Sequence, residues 1–68
     1  MKSIAEIADE YERNLKLLEQ RRAEVRARYL AEPSAERRWK LRKRIEVLEQ
    51  MIFDSAGAIA VMRGARRG

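Results

Sequence analysis

Apolar residues recur along the chain at alternating spacings of three and four, in two blocks. The first block sets Ile4, Ala8, Tyr11, Leu15, Leu18, Arg22, Val25 and Tyr29 on one stripe. The second sets Arg38, Leu41, Ile45, Leu48, Ile52, Ser55, Ile59 and Met62 on another. This is the a and d seam of a helix that packs along a partner helix, interrupted by Arg22, Arg38 and Ser55. Between the blocks stands Ala31-Glu32-Pro33-Ser34. Proline disfavours helical backbone in the residue before it and suits the start of a new helix. The chain is therefore expected to turn back here. The stripes then meet in mirror order, Val25 near Leu41, Leu18 near Leu48, Leu15 near Ile52, and Ala8 near Ile59. The predicted fold is all-α, an antiparallel helical hairpin of two long helices. Helix 1 is expected over about 4–30, the turn over 31–34, helix 2 over about 35–63, and a basic tail over 64–68.

Local signals agree with these limits. Ser3-Ile4-Ala5-Glu6 has the form of a capping box, in which Glu6 reaches back to the Ser3 backbone. Ser34 is the expected N-cap of helix 2. Gly57 is the weak point, since a glycine inside a helix costs about 1 kcal/mol against alanine. The stripe runs through it in phase to Ile59 and Met62, so helix 2 is predicted continuous. Gly57 is expected to permit a close approach near Ala8 and Ala60. Across the hairpin, Tyr11 is expected opposite Ser55 with the two hydroxyls meeting, and Arg38 is expected to stack on the Tyr29 ring.

Length changes this picture. A chain of 68 residues is one domain, and two helices bury too little to stand comfortably alone. There is no cysteine to staple the hairpin, so oligomerisation is the expected support. The e positions, Ala5, Glu12, Glu19, Arg26, Arg42, Glu49, Ala56 and Arg63, are mostly charged. The g positions are Ile7, Asn14, Arg21, Arg28, Arg37, Arg44, Met51 and Ala58. Near the chain ends this g flank is largely apolar, and Leu17, Val47, Phe53 and Val61 add apolar surface on the outer faces. The expectation is a homodimer that forms a four-helix bundle, with Ile7, Asn14, Met51 and Ala58 at the dimer interface.

Charge is unevenly distributed. Residues 1–20 carry three basic and five acidic side chains, and residues 21–44 carry ten basic and three acidic. Residues 45–68 carry three of each, so the net +5 comes from the turn end. Arg37-Arg38-Trp39-Lys40-Leu41-Arg42-Lys43-Arg44 is the densest piece. Clustered bases neutralise phosphates, and an exposed tryptophan stacks on unpaired bases. Arg21, Arg28, Arg37, Arg38, Trp39, Lys40, Arg42, Lys43 and Arg44 are therefore candidate contacts to nucleic acid, or alternatively to an acidic protein. A plainer reading is a solvated helical face, with Glu24–Arg28 and Glu36–Lys40 as ordinary pairs one turn apart.

The residue types that are missing narrow the function classes. With neither histidine nor cysteine, the usual general base, the strongest nucleophile and a zinc site are missing. All three glycines lie after residue 56, so there is no phosphate-binding glycine loop. The chain is expected to be no enzyme, with no cofactor, metal or small-molecule substrate. It shows no signal peptide and no apolar run of membrane-spanning length, and a cytoplasmic protein without membrane contact is expected.

Overall fold

The computed structural model of the chain describes residues 1–64, and the expected basic tail beyond Gly64 lies outside the described residues. Two helices, α1 (Ile4–Ala31) and α2 (Ala35–Gly64), pack along one another as a hairpin. Each matches its expected span to within one residue.

Both helix starts follow from hydroxyl caps. The Ser3 hydroxyl accepts the Glu6 backbone N–H at 3.1 Å and donates to Glu6 Oε1 at 3.3 Å. The Glu6 carboxylate thus meets the serine side chain rather than its backbone N–H. The Ser34 hydroxyl accepts the Arg37 N–H at 3.4 Å, and the Ser34 carbonyl accepts the Arg38 N–H at 2.9 Å. Between them Glu32 leaves the helix with extended backbone, φ −81° and ψ 118°. Its side chain then folds forward, and Oε1 accepts the Ser34 N–H at 3.1 Å. No described residue has a positive φ, so the reversal needs no glycine.

The two stripes form the contact between the helices. Among the described residues only Ala8 and Val25 are fully buried, and no large side chain is. Leu15, Leu18, Leu41, Ile45, Leu48, Ile52, Ile59 and Met62 are half-buried. Two cylinders touch along a line, so most seam residues keep one side in water. Ile4, Tyr11 and Arg38 stay exposed. The resulting rod measures 51 × 17 × 16 Å. It exposes 5681 Å², against about 4,450 Å² for a compact protein of this mass.

Three expected contacts are corrected. Arg38 does not cover Tyr29; among the described residues the cation–π contact is Lys43 over Trp39, 5.5 Å from the ring centre. Tyr11 and Ser55 share no hydrogen bond and instead line an open groove. Gly57 lies inside α2 as expected, but a β-carbon there would meet nothing within 4 Å. It faces outward, so there is no close approach for it to permit. Gly57→Ala is accordingly expected to raise stability by several tenths of a kcal/mol to about 1 kcal/mol. The shift in urea midpoint at unchanged slope measures it.

Candidate functional site

The two flanks of the hairpin differ. On the e flank, Arg63 reaches across from α2 to α1. Its guanidinium donates to Asp9 Oδ1 at 2.9 Å and, through Nε, to Glu12 Oε1 at 2.9 Å. These hydrogen bonds, Asp9 first and then Glu12, hold the Arg63 pKa above its ordinary value. Asp9 and Glu12 lie one to two turns further along α1 than the residue that simple mirror counting sets against Arg63. Side chains lean toward the start of their own helix, and in antiparallel helices that brings such pairs together. The contact is exposed, so it orients the helices more than it stabilises them.

The g flank is open along its length. A groove of about 810 Å³ runs between the helices there, lined by Tyr11, Asn14, Leu17, Leu18, Leu48 and Met51 among others. Two of the four expected interface residues, Asn14 and Met51, stand on it. Ile7 and Ala58 are half-buried on the same flank nearer the chain ends. Leu17, Val47 and Val61 occupy the neighbouring c positions and are 63%, 60% and 72% exposed. Tyr11, Met51 and Ile4 bring further exposed apolar surface to this flank. Leu30, Trp39 and Phe53 are also exposed, but at b positions on the other side.

Toward the turn the same flank becomes basic. A second groove of about 590 Å³ is bordered by Arg28, Arg37, Lys40 and Arg44, with Leu41, Ala31 and the acidic Glu32 between them. Arg21 stands on the first groove instead. The remaining candidates lie elsewhere. Arg38, Trp39, Arg42 and Lys43 occupy a, b, e and f positions, which turn away from the groove. The nine candidate contacts therefore form two basic faces rather than one surface.

That second face includes residues outside the predicted set. Arg26, at an e position, and Arg22, in the seam, share the side of Arg38 and Arg42. Their heptad letters carry this signal, because e residues of both helices meet on one flank. Ion pairing also separates the bases. Lys40 pairs with Glu36 at 3.8 Å, and Arg42 and Lys43 share Glu46 at 3.8 and 3.6 Å. Glu24 and Arg28 do not pair. Among the described residues Arg21, Arg22, Arg26, Arg28, Arg37, Arg38 and Arg44 have no acidic partner. No three acidic side chains among the described residues gather as a metal-binding group. Among the described residues no helix is long and apolar enough to cross a membrane. No protein-family model matches the chain, and neither the curated proteins nor the solved structures give a match.

Proposed function

We propose that the chain is a non-enzymatic interaction module that pairs with itself through the open g flank and binds nucleic acid at its turn end. One observation carries the second part: at the turn end Arg22, Arg26 and Arg38 lie on the flank away from the groove, beside the exposed Trp39, and lack an acidic partner. Such bases repel one another, and a polyanion relieves that repulsion while releasing its counterions. The face of Arg22, Arg26, Arg38 and Trp39 suits this task best. It joins cations to an exposed aromatic ring, the combination that holds unpaired bases. Self-association is supported by the apolar open flank and by the lack of any large buried side chain.

Fluorescence anisotropy with one duplex, one single strand and one RNA hairpin tests the reading. Affinity should fall linearly with log salt, with a slope near −0.9 per phosphate on duplex DNA. Arg26→Ala and Arg38→Ala should each reduce that slope by about one. Trp39→Ala should weaken single-strand binding by roughly 1–3 kcal/mol and leave duplex binding nearly unchanged. No binding to any of the three removes nucleic acid and leaves an acidic protein as the partner chemistry.

A further inference from the structure

The open flank carries charge of opposite sign at its two ends. On its c, d and g positions the turn half holds Arg21, Arg28, Arg37, Lys40 and Arg44 against two acids, Glu24 and the turn residue Glu32. The half nearer the chain ends holds Glu10 and Asp54 on those positions and no base. Lys2, from outside the helix, pairs with Glu10. Between the two halves lies the apolar groove, whose α1 lining runs from Tyr11 to Glu24 and so centres on Leu17 and Leu18.

We propose that this flank is filled by a second copy of the chain lying antiparallel, turn end against chain ends, about a two-fold axis near Leu17 and Leu18. The proposal rests on the self-association proposed above and adds its orientation. Under that axis α1 faces α1 of the other copy, and axial positions reverse. Glu10 lies about eight residues before the axis and Arg28 about ten after it, so Glu10 comes level with the partner's Arg28 to within a turn. Asp54 falls within about one turn of the partner's Arg44 by the same count on α2. The opposite orientation would set both arginine-bordered grooves side by side, a like-charge juxtaposition. Area fits as well. A face of the rod spans 51 by 17 Å, a footprint on the scale of a standard interface of about 800 Å² per partner. The groove of Arg28, Arg37 and Arg44 then serves assembly, and the Trp39 face stays open for nucleic acid.

Two measurements test this. The first uses Glu10→Arg and Arg28→Glu. Within one chain these positions are about 27 Å apart along α1, so they cannot compensate internally. Each change alone should weaken the dimer roughly tenfold, since the axis repeats the contact. Mixing the two variants should restore the dimer mass in light scattering, because each arginine at position 10 or 28 then meets a glutamate. A mixture that stays as weak as the single variants overturns the antiparallel pairing. The second uses Ala35→Cys in the otherwise cysteine-free chain, carrying a spin label for distance measurement. An antiparallel pair puts the labels about 40 Å apart, and a parallel pair about 20 Å. The short distance overturns the orientation while self-association stands. A monomer mass at every concentration overturns both.

Discussion

Leu17→Asp is expected to turn a dimer into a monomer without loss of helix. In the lone hairpin Leu17 is 63% exposed and supports no packing. An aspartate there should cost a monomer only helix propensity, about half a kcal/mol. In the paired arrangement the consequence is far larger. Leu17 lies beside the two-fold axis, so both copies bring a carboxylate to the same apolar groove. Each charge loses water without gaining a partner, and the two repel. At several kcal/mol the loss amounts to more than a hundredfold in dissociation constant. Light scattering reads the mass and circular dichroism reads the helix. Retention of the wild-type dimer by this variant would show that the open flank is not where copies meet.

Leu18→Ala carries the second large effect. Leu18 lies in the seam against α2 and also lines the groove. With the groove covered, its truncation leaves a cavity, at a cost of about 2–5 kcal/mol. A chain of 68 residues has a total stability of only about 3–10 kcal/mol. The variant should therefore be largely unfolded at modest temperature. Because a partner that binds only the folded chain adds stability by mass action, the wild-type melting temperature should also rise with protein concentration. A loss under about 1 kcal/mol, with a melting temperature independent of concentration, would mark Leu18 as a surface residue of a lone hairpin.

The hairpin was legible because several local signals agree. Ser3 and Ser34 cap where their hydroxyls were expected to, and Pro33 divides the helices. The stripe residues Ala8, Leu15, Leu18 and Val25, and those from Leu41 to Met62, are the ones that lose solvent. What failed depends on how side chains lean. Arg38 and Tyr29 share the seam, yet Arg38 stays exposed, and Trp39 takes its cation from Lys43 one turn along its own helix. The close approach expected at Gly57 does not occur, because its f position already directs it outward. The basic stretch read as one surface because it is continuous in sequence. A helix turns 100° per residue, so neighbours such as Arg37 and Trp39 end on different faces. The Arg63 bridge to Asp9 and Glu12 joins residues more than fifty positions apart, which no local pattern reveals.

The tight turn at Glu32 to Ser34 also decides how the hairpin responds to force. Both ends of the described chain leave the rod at the same pole, opposite the turn. Tension applied between them does not load the seam all at once. It falls first on Arg63 with Asp9 and Glu12, then on the contacts around Ala8, and so on down the rod one helical turn at a time. The helices peel apart instead of sliding. Resistance at any moment is that of a single layer of side chains, and the capped turn is the last part to yield.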